Sequence, residues 1–350
     1  MKLGRNIYLA VSICVASVLL IAFGWMKFQN ASDDRVATIK PLPSINDSVD
    51  SFSDNPIQPI FAIENLNANK VALGERLFHD PRMSSNNSVS CASCHNLNQG
   101  GDDGRPGSIG IHGSIVNTNS PTVFNASLNI AQFWDGRVDT LEEQIDGPIH
   151  DLREMGSNWP QIIGKLNQDV SYVSSFDRLY SDGITEANLK NAISTFEQSL
   201  TTVNSPFDKF LKGDLDAIDA NVKQGYEKFK EYGCVACHQG RNVGGNMYQP
   251  LGIMGDYFAD RGTEITKSDL GRFNVTGREA DKYVFRVPSL RLAPLTAPYL
   301  HDGSAATLRD AVRVMIKYQI GRSAPVEDED LIIDFINSLV GEYKGKRLIQ

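Results

Sequence analysis

Two pentads, Cys91-Ala-Ser-Cys94-His95 and Cys234-Val-Ala-Cys237-His238, hold four of the five cysteines of this 350-residue chain. They constrain the fold more than any other feature. C-x-x-C-H is the attachment signature of c-type haem: two thiols form thioethers with the vinyl groups, and the histidine supplies the proximal nitrogen to iron. A thioredoxin-like C-x-x-C does not need the histidine and sits in a βαβ pattern, which is absent here. A zinc site could use Cys₄ or Cys₂His₂, but two complete pentads in repeated contexts argue against it. No cysteine remains for a structural disulfide, because Cys14 lies in an apolar N-terminal run.

The pentads sit in an internal repeat. "GERLF" (Gly74–Phe78) precedes the first and "GYEKF" (Gly225–Phe229) the second, and a Gly-Gly pair follows each. Helical periodicity places Leu189, Ile193, Phe196 and Leu200 on one face. It does the same for Val222, Tyr226 and Phe229, for Leu308, Val312 and Met315, and for Leu331, Phe335 and Leu339. Gly233, Gly321 and Gly341 mark helix ends. Between the helices lie Gly/Asn/Pro-rich stretches over 96–130 and 239–303, with no alternating strand series. The expected fold is mostly α: two cytochrome-c-like domains with long loops, each around one covalent haem.

The run Ile7–Trp25 has no charge over about 19 residues, just enough to span a bilayer. It reads as an anchor helix within residues 1–28, the alternative being a cleaved signal peptide. Residues 29–59 read as a linker. The first domain is expected over 60–204 and the second over 205–345. Covalent c-type haem is attached outside the bacterial inner membrane, so the body is expected in the periplasm. The net charge of −8 includes no basic block, so no nucleic-acid partner is expected.

Four stretches, "LGERLFHDPRMSSNNSVSCASCHNL", "NSPTVFNASLNIAQFWDGRVDTLEEQIDGPI", "GCVACHQGRNVGG" and "TAPYLHDGSAATLRDAVRVMIKYQIG", together resemble the bacterial di-haem cytochrome c peroxidases. The resemblance covers about residues 60–345. It implies an N-terminal haem that reduces hydrogen peroxide and a C-terminal haem that accepts electrons from a small donor such as a cytochrome c or cupredoxin. It implies Met315 as the second axial ligand of the C-terminal haem. Tyrosine occupies that position in the related MauG oxidases, which act on a protein substrate. A third reading is a tethered di-haem electron carrier.

The same resemblance gives His112, in the glycine-rich "GGDDGRPGSIGIHGS", the role of capping the peroxidatic iron when both haems are oxidised. It makes Glu154 the proton-transferring base and Gln144 the residue that orients peroxide, with Met155 lining the pocket. Trp134 is implied between the haems, and His301 at a propionate or interface. Asn119, Thr296 and Pro298 match positions that hold an interdomain calcium ion. A homodimer is also implied.

Overall fold

The computed structural model describes residues 55–349. Four helices carry the repeat: α1 (Ala68–Phe78), α2 (Glu186–Ser199), α3 (Ala220–Glu231) and, near the C-terminus, α5 (Val326–Asn337), with α4 (Leu308–Val314) between the last two. Side chains fix their starts. Asn67 accepts the amides of Asn69 and Lys70 ahead of α1, Thr185 that of Asn188 ahead of α2, and Asp219 that of Val222 ahead of α3. Each such cap is worth about 0.5–2 kcal/mol. Gly233, at φ 82°, ends the turn after α3 and leads directly into Cys234.

The repeat has one physical meaning in both copies. A Cβ on Gly74 would lie 2.0 Å from the carbonyl oxygen of Ala192 on α2. A Cβ on Gly225 would lie 1.9 Å from that of Leu331 on α5. Only glycine lets these backbones come so close. One turn further, Phe78 meets Phe196 edge-on at 5.3 Å, and Phe229 meets Phe335 at 4.9 Å. All four rings are buried. Burying each adds about 1.5–3 kcal/mol. Two crossed helix pairs, α1 with α2 and α3 with α5, are thus built by the same glycine-then-phenylalanine device.

The main apolar clusters follow the halves of the chain. One is drawn from residues between Leu73 and Ile193, and another from Phe207 to Leu339 together with Ile57. A third joins Phe78, Phe124 and Phe196 to Leu292 and Val340. Residues 55–60, read from sequence as part of the tether or its edge, pack on the C-terminal half. Ile57 is fully buried and bridges Gly240, and Asn55 accepts a 2.6 Å bond from the Tyr226 hydroxyl.

The long loops do contain strands, though short ones. Tyr248–Pro250 (β1) pairs antiparallel with Val284–Arg286 (β2). Beyond α4 the backbone widens into a π-helical segment, Met315–Ile320, before Gly321 at φ 70°. The single α-helix expected there is therefore interrupted at Met315, and such π segments are frequent at functional sites. Among the described residues no helix is long and apolar enough to cross a membrane. The expected anchor within residues 1–28, and Cys14, lie outside the described residues.

Candidate haem centres

The pentads fold alike. In each, one helical turn closes by a bond from the histidine amide to the first cysteine carbonyl, His95 to Cys91 at 3.0 Å and His238 to Cys234 at 2.9 Å. In each, the ring Nδ1 meets a backbone carbonyl, Gly101 for His95 at 3.2 Å and Val243 for His238 at 3.3 Å. The tautomer that donates this bond leaves Nε2 with its lone pair free for iron. Burial keeps both imidazoles neutral, pushing His95 down and His238 down to about 4. Gly244, at φ 130°, packs beside the second histidine, where a Cβ would lie 2.2 Å from the Pro288 carbonyl. Gly244 thus serves close packing beside the ring, while Gly245 packs against Asn129 and Asn242.

The thiols are neutral as well. Burial pushes Cys91 and Cys234 up to about 12 and Cys94 up to about 11, and raises Cys237. A redox-active C-x-x-C works through a depressed thiol pKa, which neither pair has.

Beside the second pentad is a cavity with about 1740 Å³ of empty space including its mouth. Cys234, Cys237 and His238 line it, as does Met315 from the start of the π segment. Trp134, Phe285, Leu300 and Val312 supply apolar wall. Two thiols, an imidazole with a free nitrogen and a thioether around one apolar space suit a haem with His/Met ligation.

At the first pentad Glu154 is half-buried, in a turn rather than on a helix. Burial, then the Asp151 charge, raises its carboxyl above the usual range, while Arg137 and Arg153 oppose this. Its charge is one of those that help raise the Cys94 thiol of this pentad. Gln144 ends the short helix Leu141–Gln144 and is half-buried, and Met155 is buried in the surrounding core. His112 lies exposed at the tip of a turn, with φ 56°. That turn closes a small loop in which Ile109 bridges Ile115.

The other expected residues form one knot. The Trp134 indole donates to the Asn119 carbonyl at 2.9 Å, and the Asn119 amide donates to the His301 carbonyl at 2.9 Å. The Asn119 side chain bonds the carbonyls of Arg105 and Pro298, at 2.8 and 3.2 Å. Thr296 lines the neighbouring cavity wall. His301 is buried, with Nε2 2.7 Å from Asp269 and the ring stacked on Phe285. Asp269 and Asp302 share Arg261, so a guanidinium already supplies the cation this acidic group calls for.

Sequence reasoning missed two buried arginines on the cavity wall, Arg286 and Arg291. The signal for the first was a lone arginine inside the apolar run "YVFRV".

Residues 68–216 match the model of the di-haem cytochrome c peroxidase family. The chain is 46% identical over 299 residues to cytochrome c peroxidase Ccp of Escherichia coli K12, covering 85% of this chain and 64% of that protein's length. It is 42% identical to the cytochrome c551 peroxidase of Nitrosomonas europaea, covering 85% of this chain and 87% of that one. Among solved structures, a MauG-like protein associated with microbial copper homeostasis superposes with a TM-score of 0.68 at 26% identity, covering 81% and 92% of the two chains. The chain belongs to the di-haem cytochrome c peroxidase family, and that membership implies two haem c groups.

Proposed function

We propose that this protein is a periplasmic peroxidase that converts hydrogen peroxide, two protons and two electrons into two waters. The observation that carries the reading is the asymmetry of two otherwise matching pentads. One faces a thioether, Met315, across an apolar cavity. The other is influenced by a desolvated carboxyl, Glu154, whose charge acts on its second cysteine, Cys94. Matching thioether and imidazole suit electron transfer, and a raised carboxyl beside an attachment site suits proton transfer.

Bound haem supplies the iron that takes up electrons at one centre and binds peroxide at the other. Cys234, Cys237, His238 and Met315 would hold the electron-accepting group, and Cys91, Cys94 and His95 the peroxidatic one. Glu154 takes a proton from one peroxide oxygen and returns it to the other, while Gln144 orients the molecule by hydrogen bonding. Trp134, on the wall of the C-terminal cavity, aids electron passage between the two haems. His112 caps the peroxidatic centre in the oxidised protein and swings out on reduction of the other.

Calcium at Asn119, Thr296 and Pro298 belongs to the same reading. The carbonyls of Arg105 and Pro298 already converge on the Asn119 amide, and turning that amide over would present its oxygen. Residues 60–204 and 205–345 act as the two haem domains, tethered by the N-terminal segment, with a small cytochrome or cupredoxin as donor and a homodimer as the assembly. A MauG-like oxidase is the second reading, and Met315 in place of tyrosine weighs against it. Haem content tests the proposal. Two haems should survive acid-acetone extraction, and Cys91→Ala with Cys94→Ala should leave one. Extractable haem, or none, would refute it.

A further inference from the structure

Two arginines on the wall of the C-terminal cavity are equally buried and unequally neutralised. Arg291, 1% exposed, gives Nη1 to Asp208 at 2.8 Å and to Ser205 at 3.3 Å, Nε to the Arg241 carbonyl and Nη2 to the Gln58 carbonyl. Arg286, 4% exposed, makes only marginal contacts, Nε to the Phe133 carbonyl at 3.4 Å and Nη1 to the Val287 carbonyl at 3.5 Å. These lengths are at or beyond the limit of useful hydrogen bonding. Among the described residues no carboxylate pairs with Arg286, and burial pushes its pKa down to about 10. A buried, unpaired guanidinium is strongly destabilising, because its charge is desolvated without a compensating partner. The fold nevertheless fixes it in place: it ends β2, opposite Tyr248 of β1, and its amide donates to the Trp134 carbonyl at 2.9 Å.

A cavity that holds such a cation calls for an occupant with an anion. Under the reading above, on which this inference rests, the occupant is haem, whose charged edge groups are two propionates. A guanidinium fork matches a carboxylate at two points. We propose that Arg286 binds a propionate of the C-terminal haem and, by placing a positive charge beside that haem, raises its reduction potential. Because the Arg286 amide is bonded to the Trp134 carbonyl, the clamp also ties the haem edge to the segment proposed to pass electrons onward.

The test is a redox titration of the purified full-length holoprotein, following both haems, in the wild type, Arg286→Gln and Arg286→Lys. Removing the charge should lower the C-terminal midpoint by about 59 mV or more, a tenfold change in the ferric-to-ferrous ratio, and leave the N-terminal midpoint in place. Lysine should keep the potential near wild type. Both variants should shift the propionate bending band in the resonance Raman spectrum, because the two-point contact is lost. An unchanged midpoint in Arg286→Gln, an equal fall in both variants, or an unmoved Raman band in Arg286→Lys would overturn the assignment. If Arg286→Gln fails to mature, the Raman band of Arg286→Lys decides. A wild type lacking two covalent haems would instead refute the peroxidase reading itself.

Discussion

The amide of Ile111 donates to the carbonyl oxygen of Glu154 at 2.8 Å. This bond fastens the loop that carries His112 to the turn that carries the proposed base. Gly110 makes the contact possible, since a Cβ there would lie 1.8 Å from the Arg153 carbonyl. The candidate gate and the candidate base therefore share one backbone seam.

Glu154→Gln keeps the shape of the turn and removes the proton acceptor. General acid–base catalysis contributes about 10²–10⁴-fold, so peroxide turnover should fall by that factor. Reduction of the C-terminal haem by an artificial donor should proceed at the wild-type rate. Stopped-flow measurement of both steps checks this, and full turnover in the variant would assign proton transfer to another group.

His112 occupies left-handed backbone at φ 56°, which costs a non-glycine residue about 1–2 kcal/mol. His112→Gly relieves that cost in the exposed arrangement and removes the capping imidazole. The oxidised variant should be high-spin at the N-terminal haem and react with peroxide without prior reduction. Paramagnetic resonance of the fully oxidised proteins decides it: a wild type already high-spin contradicts the gate.

The helix crossings predict a sharp contrast among glycines. Gly225→Ala drives a methyl into the Leu331 carbonyl, and overpacking of this kind costs about 1–3 kcal/mol or more. Gly164, inside the helix Trp159–Leu166, has open space where a Cβ would go, so Gly164→Ala should gain about 0.4–1 kcal/mol. Thermal unfolding should show the first variant losing several degrees and the second losing none. Equal melting temperatures would mean that α3 and α5 are not held at the distance described.

Glu197 on α2 is buried, one carboxylate oxygen has no hydrogen-bond partner among the described residues, and burial with the nearby Glu142 charge pushes it up to about 8. Its folded pKa lies above its unfolded value, so the folded state binds the extra proton between the two. Stability is full below about pH 4.5 and falls as pH rises toward about 8. Glu197→Gln should flatten that part of the pH–stability curve and be the more stable protein on the alkaline side. Urea midpoints across the range test this, and parallel curves for the two proteins would show that Glu197 is already ionised.

Much of this was legible in the sequence because it recurs there. The pentads, the Gly74/Phe78 and Gly225/Phe229 pairs and the helices around them are written twice, and each copy folds as its periodicity implies. What was hidden depends on contacts between distant segments. Glu197 follows Phe196 on an amphipathic helix and looks solvated, yet α2 is covered on that side as well. The π widening at Met315 leaves no mark in a 3.6-residue pattern. β1 and β2 are three residues each, too short to alternate visibly, so Arg286 was lost within a stretch read as loop. Glu154 was picked out by resemblance, while its desolvation appears only once the Ile111 loop closes over its backbone.

The central claim is that peroxide is reduced by two electrons that enter at the Met315 side. The direct measurement is anaerobic: protein with its C-terminal haem reduced is mixed with hydrogen peroxide and excess reduced cytochrome c, and donor oxidation is counted against peroxide consumed. The account predicts two donor electrons per peroxide, no oxygen evolved, and loss of this turnover in Cys91→Ala with Cys94→Ala. Peroxide left unconsumed, or consumed without oxidation of the donor, would contradict it.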